Sequence, residues 1–253
     1  MSKKRLAADH ARRDFMRIAG SGLAVVALGA GPHAAMAQTG GAPLKIGMIG
    51  AGREGGALAA LFVKAGHPVM LSSRNPDNLK NLATGMGPLA QTGSVDQAVA
   101  FGDVIVIAIP YTAMEQIGKT HAAALSKKAL VMDVSNPIPR RDGEDFVKSV
   151  NEQGGAGLVT AKWFPGVPIV RAFNAIGYVR LPEIAHRQGN PVGVPIAGDD
   201  PKAIAVAEKL IREIGFEPVV VGGLAMGKYL VPGTPLGGEH TPAEIKQIAG
   251  GLK

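Results

Sequence analysis

The sequence predicts a single α/β domain built on a doubly wound parallel sheet, and three observations predict it. From residue 44 onward short β-rich runs alternate with helical patterns, the order expected when each strand is followed by a crossover helix. Asp103 opens an unbroken apolar run to Ile109, as a central parallel strand buried on both faces requires. Gly50-Ala51-Gly52-Arg53-Glu54-Gly55 lies between an apolar run and a helical pattern, so a glycine-rich turn joins the first strand to the first helix. Composition agrees: of 253 residues 46% are hydrophobic and 19% charged, which excludes bulk disorder. The 35 glycines are about twice the usual share and imply tight turns or close backbone approaches. Cysteine is absent, which excludes disulfides, thiolate metal sites, a cysteine nucleophile and iron–sulfur ligation. Aromatics at 4% are too sparse for a base-stacking platform, so nucleic acid is not an expected partner.

Taken in order, residues 44–49 read as the first strand and 54–65 as the first helix, stopped by Gly66. Residues 67–72 read as the second strand, with His67 in a surface turn. Asn75-Pro76-Asp77 opens the next helix with a capping side chain, a proline at the first position and an acid near the positive end. After the central strand 103–109, further strands fall at 129–133, 169–173, 194–197 and 218–221. Helices fall near 112–125, 144–153 and 200–214. The domain spans residues 44–230, and 231–253 form a C-terminal loop and tail whose turn-rich start, 231–238, is a lid or a loose end.

Residues 1–37 read differently. Lys3, Lys4, Arg5, Arg12, Arg13 and Arg17 stand against Asp9 and Asp14, so about +4 of the formal +7 sits here. A mild apolar run from Ile18 to Leu28 follows, then Ala35-Met36-Ala37, the three-part plan of a cleaved export signal. Ala11-Arg12-Arg13-Asp14-Phe15-Met16-Arg17 resembles the twin-arginine signal, with Ala11 and Met16 departing from its usual pattern. The expectation is export by that route to a periplasmic or extracellular place, with 38–43 as linker. The apolar run is too short and glycine-rich to span a bilayer, so no membrane span is expected in the mature chain.

The phosphate loop carries the chemistry. Glycines let backbone approach a pyrophosphate, and a helix N-terminus supplies free N–H groups and the positive end of a dipole. A Rossmann-type fold and a bound dinucleotide follow, with Gly50, Ala51, Gly52, Arg53, Glu54 and Gly55 at the phosphates. An NAD-binding strand ends in an acid that bonds both ribose hydroxyls. Here the second strand ends in Ser72-Ser73-Arg74-Asn75, and Asp77 lies beyond the tip. An arginine fork with a serine donor suits a 2′-phosphate, so NADP is expected over NAD. Arg53 can cover the adenine or meet the same phosphate. Tyr111 is a ring wall or a half-exposed aromatic. Met226 is core rather than contact. Arg140-Arg141 reads as a solvated loop. The six histidines show no metal spacing, so no metal is expected.

Gly50–Gly55, Ser73-Arg74-Asn75-Pro76, Ile107-Ala-Ile-Pro110, Asp133-Val-Ser-Asn-Pro137, Arg171-Ala-Phe-Asn174, Pro195-Ile-Ala-Gly-Asp199 and Gly215-Phe-Glu-Pro-Val-Val-Val-Gly222 occur in one order. That series resembles the NADP-dependent coenzyme F420 oxidoreductase family. It is also similar to the NADPH-oxidising domain of the six-transmembrane metalloreductases. The resemblance covers about residues 44–230. It implies that Ser73 and Arg74 hold the 2′-phosphate. It implies that Ile109, Pro110, Ser135, Asn136, Ala172 and Asn174 flank the nicotinamide, with Pro110 as a wall and Asn174 bonding the carboxamide or the acceptor. It implies hydride transfer between NADP(H) and a flavin or coenzyme F420, by positioning and without a catalytic acid. The segment 222–230 resembles the family's closing segment, which approaches the second substrate. The first loop departs from the deazaflavin enzymes, which often read G-G-T-G-x-x-G. Imine and 3-hydroxy acid reductases share a similar first half but add a helical second domain, and only about 20 residues follow the last strand and helix here. The alternative reading is an exported NADP-binding protein without turnover. A small-molecule redox acceptor is the expected partner, and a homo-oligomer is compatible with the chain.

Overall fold

The computed structural model describes residues 42–252. The leader 1–37 and most of the linker, with the expectations attached to them, lie outside the described residues. Eight strands form one sheet: β1 (Ile46–Ile49), β2 (Val69–Ser72), β3 (Ala90–Gly93), β4 (Val104–Ile107), β5 (Leu130–Asp133), β6 (Ile169–Arg171), β7 (Gly193–Gly198) and β8 (Glu217–Gly222). Their order is β3-β2-β1-β4-β5-β6-β7-β8, a Rossmann-type arrangement with β1 and β4 at the point where the order reverses.

The alternation inside β4 shows why both faces are covered. Val104 and Val106 point into one apolar cluster, Ile105 and Ile107 into the other, and all four are fully buried. The first cluster is closed by α1 (Arg53–Lys64), through Leu58, Leu61 and Phe62, and by α9 (Pro201–Glu213), through Leu210 and Ile211. The second is closed by α4 (Met114–Leu125) and α7 (Ala156–Trp163), through Met114, Leu125 and Val159. Burying a side chain such as Phe62 or Ile105 completely contributes about 1.5–3 kcal/mol each. The remaining helices are α2 (Lys80–Met86), α3 (Val95–Phe101), α5 (Pro139–Asp142), α6 (Glu144–Glu152), α8 (Leu181–Ile184) and α10 (Pro242–Gly250).

Four departures from the sequence reading have physical reasons. The sheet is parallel except at β6–β7, which pair antiparallel. The only helix between them, α8, has four residues, too few to carry the chain back across the sheet, so β7 starts from the edge where β6 ended. Asn75 makes no capping bond with its side chain, and residues 76–79 form a 3-10 turn before α2; Ser73 Oγ instead accepts from the Asn75 N–H at 3.1 Å. His67 is not in a surface turn: it is 2% exposed, with Nδ1 at the Leu44 backbone and Nε2 3.2 Å from Glu213 Oε2 on α9. The C-terminal stretch is neither loose nor without structure. Leu230, Leu236 and Ile245 are fully buried, Thr234 Oγ1 donates to the Val231 carbonyl at 2.7 Å, and α10 docks on β8.

Candidate functional site

A cavity of about 630 Å³ opens at the carboxyl ends of β1, β4, β5 and β6, beside the reversal point of the sheet. Each strand end contributes one wall. Gly52, Arg53 and Glu54 follow β1, and Ala108, Ile109 and Pro110 follow β4. Ser135, Asn136, Ile138, Arg140 and Arg141 follow β5, and Phe173, Asn174 and Tyr178 follow β6. Pro232, from the anchored C-terminal loop, reaches the same cavity.

The three loop glycines do different work. Gly50 has φ +92°, and a Cβ there would lie 2.5 Å from the Ala108 carbonyl oxygen. A Cβ on Gly55 would lie 2.1 Å from the Gly50 carbonyl oxygen, so Gly55 lets α1 close onto the turn. A Cβ on Gly52 would meet nothing within 4 Å. Gly52 is the N-cap of α1 and makes no side-chain capping bond. The first turn of a 12-residue helix therefore presents uncapped N–H groups to open space, a cradle that suits an anion such as a pyrophosphate.

Beside it, Arg53 is exposed with its guanidinium 5.7 Å from the centre of the Tyr178 ring. Glu54 faces the cavity. Its Oε1 is sealed from solvent without a hydrogen-bond partner, while the Tyr178 backbone N–H bonds the carboxyl group. Burial pushes its pKa from 4.5 up to about 7 against the lowering effect of that N–H.

The opposite walls are held by a buried polar network. Arg171 and Asp133, at the ends of neighbouring strands, are both fully buried and paired Nη1 to Oδ2 at 2.5 Å. Thr160 Oγ1 donates to the same Asp133 oxygen, and the Ser135 N–H donates to Oδ1 at 2.8 Å. Arg171 Nη2 donates to the Ser135 carbonyl at 3.0 Å and to Asn136 Oδ1 at 3.1 Å. The arginine stem passes between Gly157 and Gly227, where a Cβ would stand 3.4 and 2.7 Å from its Cδ. Asn174, in turn, donates its Nδ2 to the Asp133 and Ser135 carbonyls at 3.1 and 3.4 Å. Two carbonyl acceptors on that side fix the amide orientation, so Oδ1 is the atom left over. It is buried without a partner. Phe173, at φ +58°, sets this turn in a region a bulky residue rarely adopts. Its ring is held edge-on to Phe216 at 5.4 Å.

The structure thus brings Gly52, Arg53, Glu54, Ile109, Pro110, Ser135, Asn136 and Asn174 into one cavity. Ser73, Arg74 and Asn75 sit outside its lining, at the end of β2, on the far side of the β1 turn. Arg74 is exposed and has no ion pair among the described residues; Asp77 is held by Lys80 at 2.8 Å. Three expected site residues are placed elsewhere. Ser72 is fully buried and its hydroxyl donates to the Met48 carbonyl at 2.6 Å, which leaves nothing for a phosphate. Ala172 is fully buried in the core cluster on the α1 side. Tyr111 is neither a ring wall nor half-exposed: it is fully buried, its hydroxyl donating to the Ala156 carbonyl at 2.5 Å, under α7. Met226 packs against the small cluster of Val219 and Leu230, as core.

Sequence reasoning missed Arg140 and Arg141 as cavity residues. Arg141 donates to the Asn136 carbonyl at 2.5 Å and to Asp142, so the short α5 braces the wall that carries Asn136. The proline at the start of α5 was the available signal. Among the described residues no cluster of three His, Asp or Glu could hold a metal ion, and no helix is long and apolar enough to cross a membrane.

With this geometry in place, comparison with known proteins narrows its meaning. Residues 45–137 match the family model of NADP oxidoreductase, coenzyme F420-dependent. The rat metalloreductase STEAP3 (Rattus norvegicus) is 32% identical over 187 residues, 73% of this chain and 35% of that protein. The chain therefore spans about a third of that relative's length. A hypothetical protein of Sinorhizobium meliloti has a similar crystal structure, with TM-score 0.64 and 25% identity over 78% of this chain and 95% of that one. A protein described as an F420-dependent NADP reductase of Arthrobacter sp. FB24 matches in fold, with TM-score 0.63 and 19% identity over 73% of this chain and 87% of that one. The family match supports a place among NADP-dependent oxidoreductases and supports NADP as the dinucleotide.

Proposed function

We propose that the chain is an NADP(H)-dependent oxidoreductase that passes a hydride between NADP(H) and a flavin or deazaflavin acceptor. The observation that carries this reading is the open, uncapped N-terminus of α1 at Gly52, on a cavity whose far wall includes Asn174, an asparagine with a buried, unpaired amide oxygen. A pyrophosphate satisfies the first and a carboxamide N–H the second.

The nicotinamide, when bound, supplies the hydride chemistry. The chain's own residues bind and orient. Gly52 and the first N–H groups of α1 hold the diphosphate. Ser73 and Arg74 take the 2′-phosphate at the end of β2, and Arg53 covers the groove beside Tyr178. Ile109 and Pro110 form an apolar wall that limits where a ring can lie. Asn174 receives the carboxamide, its orientation fixed through Asp133 and Ser135. Ile138, Arg140 and Pro232 flank the remaining mouth, where the acceptor enters. Holding two reactants in register can supply several kcal/mol, on the order of 7–11 at best, without a catalytic acid.

The twin-arginine-like leader makes this an exported enzyme in our reading, folded with its dinucleotide before export. That origin also supports the second reading, an exported NADP-binding protein without turnover. One experiment separates them. Ligands released from protein purified out of the exported fraction are identified by mass spectrometry, and NADPH oxidation is then screened with coenzyme F420, FMN, FAD and ferric chelates. Bound NADP that a flavin or deazaflavin reoxidises supports the enzyme. Bound NADP inert to every acceptor supports the binder, and a chain that neither carries nor accepts NADP(H) defeats both.

A further inference from the structure

Resting on the dinucleotide reading above, we infer that Glu54 holds the bound dinucleotide as an uncharged carboxylic acid, its Oε1–H donating to an oxygen of the ligand, so that binding takes up one proton. Glu54 is the second residue of α1, in the turn whose free N–H groups face the cradle at Gly52. A carboxylate there would stand beside the diphosphate it is meant to admit, and like charges at that range repel. A carboxylic acid reverses the interaction. One oxygen accepts from the Tyr178 backbone N–H, and Oε1 of this cavity-lining residue is left buried without a partner, free to carry the proton. The apo protein already pays part of the electrostatic cost of this arrangement, since the carboxyl loses its proton only near pH 7.

The charged groups around Glu54 do not supply a counter-ion. On its own helix Arg53 turns to the Tyr178 ring. Across the cavity Arg141 is bound to Asp142 and the Asn136 carbonyl, and Arg140, also in the lining, is not among the groups that act on the Glu54 carboxyl. At the N-cap of α8, the helix packed against α1, Arg180 is paired with Glu183 and Glu239. On α2, Lys80 is paired with Asp77.

The test is calorimetric titration of NADPH into the full-length protein at pH 8, in two buffers of different ionisation enthalpy, with affinities followed from pH 7.5 to 9. Phosphate monoesters, with a second pKa near 6, are ionised throughout that range, so the 2′-phosphate stays silent. Wild type is expected to take up close to one proton and to lose affinity by up to tenfold per pH unit. Glu54→Gln, neutral at every pH, is expected to take up none and to bind with the same affinity across the range. Binding by wild type without proton uptake overturns the assignment, as does full uptake by Glu54→Gln; the wild-type measurement stands even if the variant fails to fold. A protein that binds no dinucleotide at any pH overturns the functional reading and this assignment with it, whereas binding without uptake overturns the assignment alone.

Discussion

Arg74 and Glu54 sit on opposite sides of the β1 turn, one in water and one largely withdrawn from it, and that difference sets what each can be asked. Arg74 has no partner to lose, so its removal leaves the fold alone and acts on the ligand. Charge-assisted bonds to a phosphate contribute about 1.5–3 kcal/mol. Arg74→Ala should therefore weaken NADPH roughly 10- to 100-fold by the same arithmetic and leave NADH nearly unchanged. Equal loss for both dinucleotides, measured by fluorescence titration, would remove Arg74 from the 2′-phosphate. Glu54 acts on the fold as well. Its folded pKa lies near 7 against 4.5 for the ordinary group. Between those values the unfolded chain ionises the carboxyl while the folded chain keeps it protonated, so stability falls as pH rises through that window and levels off above it. Glu54→Gln should match wild type below pH 4.5 and exceed it by about 2 kcal/mol at pH 8, given 1.36 kcal/mol per unit and partial solvent contact. Denaturant melts at the two pH values check the sign; a constant difference would mean that the carboxyl does not titrate where its burial places it.

At the scale of elements, the paired ends of β5 and β6 hold in place the cavity wall that carries Ser135, Asn136 and Asn174. Arg171→Met keeps the volume and removes the charge, leaving Asp133 buried and unpaired, a situation that costs about 3–5 kcal/mol. The urea midpoint should fall accordingly, and a midpoint near wild type would show that Thr160 and the Ser135 N–H suffice for Asp133. The motifs around Asp133 and Arg171 were legible in the sequence, but their pairing was not: 38 residues separate them, and no periodicity says which strand ends lie side by side. The same limit hid Tyr111, which directly follows a strand-end motif yet is drawn under α7 by Thr160. Strand β3 was missed because Ala90-Gln-Thr-Gly93 is a partly exposed edge and shows no apolar run. Helices α3 and α10 were missed for a different reason. Each carries a capping box, Ser94 with Gln97 and Thr241 with Glu244, which is a readable start signal that apolar periodicity over seven to nine residues does not replace. Thr241→Ala should cost about 1 kcal/mol and loosen α10, with faster amide exchange confined to the C-terminal helix and to the strand it covers.

Across the whole molecule, the fold and the proposed dinucleotide meet in the glycine turn, and the roles of Gly55 and Gly52 can be separated by what a side chain would touch. At Gly55 a Cβ would press on the Gly50 carbonyl at 2.1 Å, and neither backbone can yield without moving α1 from the sheet. Gly55→Val should therefore lower stability by several kcal/mol, about 3 or more, with or without ligand. At Gly52 the space is open, and the backbone, at φ −71°, accepts any residue. Gly52→Val should melt within about 0.5 kcal/mol of wild type when free, since nothing in the fold is displaced. The ligand response should differ sharply. Binding to the folded state alone adds about 2.7 kcal/mol at a hundredfold excess over Kd, or roughly 5–10 °C in Tm for a chain of this size. Wild type should show that shift with NADPH and a smaller one with NADH at equal concentration. Gly52→Val should show neither, because its side chain fills the place proposed for the diphosphate at the helix N-terminus. A Gly52→Val protein that NADPH stabilises as fully as wild type would place the dinucleotide somewhere other than on α1, and the cavity at the strand ends would then need a different occupant.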